Sequence, residues 1–463
     1  MQHRQRGRTG RRLLLAVFLL FVLVSIVAAT SVGIVYVFRT VLLPGQQQRI
    51  IDQLPFMRAL MVPTPPGGTL PTAVPVDGAP SAFDLLAELA LPEATVTKEP
   101  EFRTPETTAT STVVVVATAS PAPTSTPTPS PSPTAAPPLL VTQVTESSVP
   151  ATVRLTGFSH ITQTWNNCGP ANLAMALSYF GWNRGQIVIA DRLKPHREDK
   201  NVSPQEMVAF VNEATEVKAV TRMGGNINVL KQLLAADMPV VVETGFTPEG
   251  YDWLGHYQTL VAYDDASGTF WLYDSFLGDG QNSAGMTESY KELDDNWRPF
   301  NRSFIVLYLP EQEGTLRRIL GDLVTPAGAA EVALETARFE AQADRRNAFA
   351  WFNMGTSLAV LGRPTEAATA FDQARRIGTL PWRMTWYQFG PFEAYFRAGR
   401  LDDVQALVSV NMGNGARFVE ETWFWQGRVM QQRGDLQGAR NAYTQALQLN
   451  RFYEEARAAL AAL

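Results

Sequence analysis

The run PAPTSTPTPSPSPTAAPP, residues 121–138, constrains this chain most. A segment so rich in proline, threonine and serine cannot bury enough apolar surface to offset the entropy of ordering it. Similar composition extends over about 63–150 and divides the 463 residues into an N-terminal piece and a globular remainder. Proline-rich segments rise by ~3.1 Å per residue and act as semi-rigid spacers. A disordered linker is expected, with a reach on the order of 100–200 Å. Two stretches interrupt it. SAFDLLAELALPEA, 81–94, reads as a short helix, and VVVVATA, 113–119, as a stray strand or apolar linker.

Before the linker, MQHRQRGRTGRR is basic, and 13–38 carries no charged residue. A bilayer core takes ~20 apolar residues, so 13–38 can span it as a transmembrane helix. The arginines ahead of it place the N-terminus in the cytoplasm and the rest outside it. A cleaved signal peptide is the competing reading. Its apolar core would be ~7–15 residues, and this run continues past the small residues of 25–31. The expected order is a cytoplasmic tail at 1–12, a membrane anchor at 13–38, a juxtamembrane segment and linker at 39–150, and globular segments at 151–310 and 311–463.

Net charge is −5, and five arginines precede residue 13, which leaves −10 on the remainder. That excludes the basic footprint of a nucleic-acid binder. One cysteine excludes an intramolecular disulfide framework and a thiolate-cluster metal site. No phosphate-cradling glycine loop stands out, and no cofactor or metal is expected.

The cysteine lies in QTWNNCGPANLAMALSYFG, 163–181. Pro170 suits a first helical turn, where its missing N–H would be unpaired anyway. Gly181 suits a C-terminal cap. Cys168 should then sit at the N-terminal end of a mostly buried helix, where the dipole and free N–H groups favour a thiolate nucleophile. Gly169 would leave the backbone bare for a substrate carbonyl. The alternative is a lone cysteine acting as a small core hydrophobe. Further on, Ser203 and Glu206 form a capping box for SPQEMVAFVNEA, and GNINVLKQLLAADM reads as another helix. PVVVETGF, HYQTLVAYDD, GTFWLYDSF and RSFIVLYLP read as strands, the middle two joined through DDASG as a hairpin. Helices followed by an antiparallel sheet make this an α+β domain.

A cysteine nucleophile needs a base within hydrogen-bond reach and a third group to orient it. His3 lies before the anchor. His196 sits in the charged loop KPHREDKNVSP, where solvation is the default. His160 could line the same cleft as Cys168. His256 opens an apolar strand and is the candidate base. Asp274 ends the next strand, so the hairpin brings it within about one cross-strand step of His256, on the same face if the register is even. The register itself stays open. Asp264 and Asp265 read as turn residues, and Asp279 is a further alternative. Gln163, with the Cys168 backbone N–H, could receive an oxyanion. Asn166 and Asn167 could share that role.

From residue 311 the chain is helical and repetitive. Trp351, Gly355, Gly362, Ala367, Phe371 and Ala374 recur at the same spacings as Trp423, Gly427, Gly434, Ala439, Tyr443 and Ala446. Trp386, Gly390, Tyr395, Gly399 and Val404 repeat the pattern with about two extra residues. This resembles the tetratricopeptide repeat, a helix-turn-helix unit of ~34 residues, over about 328–463. It implies an all-α solenoid that docks a protein partner.

Gln163, Cys168-Gly169, Tyr179-Phe180-Gly181, His256 and Asp274 together resemble the bacteriocin-processing (double-glycine leader) cysteine peptidase family and its wider relatives. The resemblance covers about 155–310 and implies a papain-like fold. It also implies catalysis by Cys168, His256 and Asp274, with Gln163 at the oxyanion and a peptide or protein as substrate. Two other readings stay open. One is an inactive peptidase-like domain within a repeat adaptor. The other is a cell-wall amidase of related fold, which would pair the cysteine with two histidines.

Overall fold

The computed structural model describes residues 149–248 and 251–463, together with 30–38, 70–73, 81–88 and positions 22, 25, 50, 54 and 57. Most of 13–38, most of the expected linker and the strand reading at 113–119 lie outside the described residues. Residues 30–38 are helical, and no helix among the described residues is long and apolar enough to cross a membrane. The chain divides into two units, Met1–Ala90 with Val149–Leu463, and Leu91–Ser148.

Helix α1 (Ala82–Glu88) follows Ser81, whose Oγ accepts the Asp84 N–H at 3.1 Å. Its Leu85 and Leu86 are buried with Leu70 in the core of the C-terminal helices. Phe83 packs edge-on against Trp351, with centroids 5.9 Å apart. Arg375 donates to the Pro71 and Thr72 carbonyls at 2.7 and 3.2 Å while pairing with Asp403 at 2.8 Å. The helix expected inside the linker is therefore docked on the folded body, because its apolar face finds a partner there.

The sheet domain runs β1 (Thr152–Arg154), α2 (Cys168–Ser178), α3 (Ile187–Leu193), α4 (Pro204–Ala214), β2 (Lys218–Arg222), α5 (Ile227–Ala235), β3 (Val240–Phe246), β4 (Leu254–Asp264), β5 (Thr269–Asp274), β6 (Met286–Ser289), α6 (Tyr290–Trp297) and β7 (Phe304–Tyr308). Seven antiparallel strands are ordered β2-β7-β3-β4-β5-β6, and β1 pairs with the last residues of β4. Successive strand residues point to opposite faces, so the two faces feed two cores. Val241, Ile305 and Leu307 pack under α2, α3 and α4. Val240, Val242 and Val306 pack under α5 and α6. Ser203 and Glu206 close the expected capping box of α4, and Asn226 caps α5. The four long strands were readable from their apolar runs, whereas β1, β2 and β6 are short and mixed in polarity.

Helix α7 (Glu313–Leu320) belongs to the second of these cores. Leu316, Leu320, Leu323 and Ala329 are buried in it, so the sheet domain's apolar interior runs past residue 310. The helices that follow are α8 (Pro326–Ala343), α9 (Ala348–Val360), α10 (Pro364–Ile377), α11 (Met384–Tyr387), α12 (Gly390–Arg397), α13 (Leu401–Asn414), α14 (Glu420–Gln432), α15 (Leu436–Leu449) and α16 (Glu454–Ala461). The repeated glycines let paired helices touch. A β-carbon at Gly355 would lie 2.7 Å from the Phe371 ring, and one at Gly427 would strike Tyr443. Overpacking costs about 1–3 kcal/mol. Gly355→Val is therefore expected to lower the melting temperature by several degrees at ~2–4 °C per kcal/mol, which scanning calorimetry would read. In the middle unit the first helix is broken into α11 and α12, just ahead of the two extra residues, which lie between Gly390 and Gly399.

Candidate active site

Cys168 is the first residue of α2 and is part-exposed. A helix start leaves its first N–H groups without intrahelical partners. The turn before it places Asn166 at φ +53°, a conformation asparagine tolerates better than most residues. Gln186 ties this turn down. Its Oε1 accepts from Thr164 N–H at 3.0 Å and Asn167 Nδ2 at 2.6 Å, and its Nε2 donates to the Thr162 carbonyl at 2.8 Å. Asn167 is thereby engaged in holding the loop. Gly169 differs from its expected use. It is buried, and a β-carbon there would meet Val202 at 3.3 Å, Met207 at 3.5 Å and Tyr257 at 3.6 Å. Its bare backbone serves close packing inside the domain. The helix stops at Ser178, and Gly181, at φ +88°, lies in the turn beyond.

His256 and Asp274 meet across the β4–β5 hairpin. Counting back from the turn, Asp264 faces Thr269 and Ala262 faces Trp271. The register then shifts between Leu260 and Ala262, so that Leu260 faces Leu272 and Gln258 faces Asp274. An unbroken ladder would pair Asp274 with Thr259, an odd step from His256 and hence on the opposite face. The extra residue restores an even step, as a β-bulge does, and makes His256 and Asp274 diagonal neighbours on one face. His256 Nε2 lies 2.8 Å from Asp274 Oδ1. The other ring nitrogen is not engaged by Asp274, and Cys168 lies near enough to be among the groups that raise the His256 pKa.

The carboxylate is well held. Asp274 Oδ1 also accepts the Phe276 and Leu277 N–H groups at 2.7 and 2.8 Å, and Oδ2 accepts Gln258 Nε2 at 3.1 Å. Burial raises its pKa, but the His256 charge and these hydrogen bonds outweigh burial and hold it below the usual range. Burial likewise drives the His256 pKa down. The adjacent carboxylate overrides it, and with the Cys168 contact the imidazole is pushed up to about 10. The pair is an imidazolium and a carboxylate at neutral pH.

Gln163 is buried beside the pair. Its N–H donates to the Ser275 carbonyl, and its Oε1 accepts the Ser275 hydroxyl, each at 2.8 Å. That leaves its NH₂ end as the free-facing donor. His160 Nε2 lies 2.9 Å from the Asp274 backbone oxygen, at the edge of the same cluster. His196 is not simply solvated. It stacks on Phe418, with centroids 5.3 Å apart and planes at 12°. Asp264 and Asp265 stay in the turn, held by Thr152 and Ser267 and by Lys231 and Tyr290.

Three supporting residues escaped the sequence reading. Asn172 is fully buried, and its Nδ2 donates to the Cys168 and Tyr257 carbonyls and to Ser275 Oγ at 3.0, 2.6 and 3.0 Å. It staples α2 to β4. The signal was available, since it is the lone amide in the apolar run 170–177. Gln258 orients Asp274 and could be found two residues after His256, on the same strand face. Ser275 adjoins Asp274 and has no signal of its own. No group of three or more histidine, cysteine, aspartate or glutamate residues suited to a metal ion occurs among the described residues.

Residues 148–304 match the model of the Peptidase_C39 like family, and 420–453 that of the tetratricopeptide repeat. No curated protein matches the chain. A Bacillus anthracis crystal structure described as a C39-like peptidase is 19% identical, over 34% of this chain and 97% of its own, with a TM-score of 0.28. The crystal structure of MamA is 16% identical, over 29% of this chain and 75% of its own, with a TM-score of 0.25. The chain thus joins a segment similar to C39-like peptidases to a helical segment that carries a tetratricopeptide repeat.

Proposed function

We propose that the segment at 151–310 is a cysteine peptidase, hydrolysing peptide or amide bonds with Cys168, His256 and Asp274. The observation that carries this reading is the 2.8 Å His256–Asp274 contact, with Cys168 at the start of α2 among the groups that act on the same ring. An imidazolium beside sulfur stabilises the thiolate. Cys168 Sγ attacks the carbonyl carbon, and the oxygen becomes an oxyanion. The Gln163 NH₂ and the Cys168 backbone N–H receive that charge. As the C–N bond breaks, the imidazolium gives its proton to the amine. Water then attacks the thioester and passes a proton to the imidazole, releasing the acid and the thiol.

The repeats at 311–463 bind a protein partner in this reading. A cleft of about 800 Å³ between α4 and the repeats supports it, lined by Phe389, Trp425 and Phe452 with Glu393, Glu454 and Glu455; Cys168 does not line it. The same cleft favours the rival, a repeat adaptor whose peptidase-like domain is inactive. An anchor at 13–38 would hold both domains outside the cytoplasm, which the uncharged run and the arginines before it support.

The test is covalent trapping. A peptide acyloxymethyl ketone should add its mass to the full chain at Cys168, and Cys168→Ala should gain none. Absence of an adduct on folded wild type, with the thiol still alkylated by iodoacetamide after unfolding, would leave the adaptor.

A further inference from the structure

The break in the middle repeat has a counterpart in the sheet domain. Helix α11 and the residues before it turn toward the segment leading into β4. Trp382 Nε1 donates to Asp252 Oδ2 at 2.7 Å. Arg383 reaches the Trp253 carbonyl at 3.4 Å. The Trp253, Phe300 and Tyr387 rings form a triangular cluster, with centroids 6.0, 6.1 and 6.2 Å apart. Gly255, the residue before His256, has no room for a side chain, since a β-carbon there would lie 2.7 Å from the Phe300 ring and 2.9 Å from the Tyr387 ring. One repeat helix therefore presses on the backbone immediately ahead of His256.

The repeats also reach the other side of the site, through α11 and through the residues around the start of α14. Trp165 Nε1 donates to Glu198 Oε2 at 3.1 Å, which couples the turn before Cys168 to the loop 194–201. That loop is held by the repeats. His196 stacks on Phe418, Lys200 Nζ sits 5.6 Å from the Trp386 ring, and Asn201 Nδ2 donates to Glu421 Oε1 at 2.7 Å. Both segments that aim the sulfur and the imidazole thus rest on repeat side chains.

We propose that Trp382 and Tyr387 are positioning residues: they hold the start of β4 so that His256 faces Cys168, and hydrolysis depends on the docked repeats. This rests on the hydrolytic reading above. Displacing a reacting group by ~1 Å can cost about 10²-fold in rate. A partner that pulled on α11 would then change turnover without touching the substrate.

The test uses the full chain with Trp382→Phe, which removes one donor and keeps a ring, together with Tyr387→Ala and Tyr387→Phe. Trp382→Phe and Tyr387→Ala should lower kcat by about 10–100-fold with KM little changed, and Tyr387→Phe should restore most of it. With four histidines in the chain, the His256 ring can be followed by nitrogen-15 NMR, and its titration should move down in the two impaired variants. Unchanged kcat and an unchanged His256 titration in folded Tyr387→Ala and Trp382→Phe would overturn the proposal. Should wild type hydrolyse nothing, the imidazole titration still decides between coupled and uncoupled domains, so failure of the hydrolytic reading and failure of the positioning role are told apart.

Discussion

Replacing His256 with alanine is expected to lower kcat by about 10²–10⁴-fold, the usual worth of a positioned acid–base group. KM should change little, since the ring acts on protons in transit and not on the bound ground state. The ring is 3% exposed and faces Asp274 with one nitrogen. Among the described residues no other histidine can substitute, because His160 faces the Asp274 backbone oxygen and His196 is stacked on Phe418. Progress curves on a cleaved peptide at matched concentrations would read the loss. Turnover within threefold of wild type would remove His256 from the chemistry.

Asp274→Ala is expected to destabilise the fold by about 3–5 kcal/mol, as breaking a buried ion pair does. The change leaves an imidazolium without its counter-charge, and it strands the Phe276 and Leu277 N–H groups and Gln258 Nε2, all now bonded to this carboxylate. With the carboxylate gone, burial is opposed only by the Cys168 side, and the His256 pKa should fall. The pH dependence follows from both shifts. His256 is raised, so its share of the stability is full below pH 6.5 and is lost as pH rises toward about 10. Asp274 is lowered, so its share is present above pH 3.8 and is lost as pH falls below it. The gap between wild type and variant should be widest near pH 5–6 and should narrow toward pH 10. Urea unfolding at pH 5.5 and 9.5 checks this, and a gap that does not narrow would mean that the pair is not ionised.

Much of this arrangement was legible because its signals are local. The apolar runs gave β3, β4, β5 and β7, and the DDASG turn put the start of β4 beside the end of β5. What could not be read was the face. The shift between Leu260 and Ala262 decides it, and a bulge here leaves no mark in LVAY, a continuous apolar run that fits either register. Gly169 was misread because a glycine that clears space looks the same whether the neighbour is substrate or Tyr257. The docking of α11 was hidden for another reason. Contacts such as Trp382 with Asp252, 130 residues apart, belong to tertiary packing and follow from no local pattern.

The clamp of Arg375 on the Pro71 and Thr72 carbonyls, with Leu70, Leu85 and Leu86 buried nearby, changes the arithmetic of distance. Residues 70–73 and 81–88 count as part of the folded body and not as spacer. A reach counted over 63–150 as one extended run therefore includes residues that are packed against the helices of the C-terminal half.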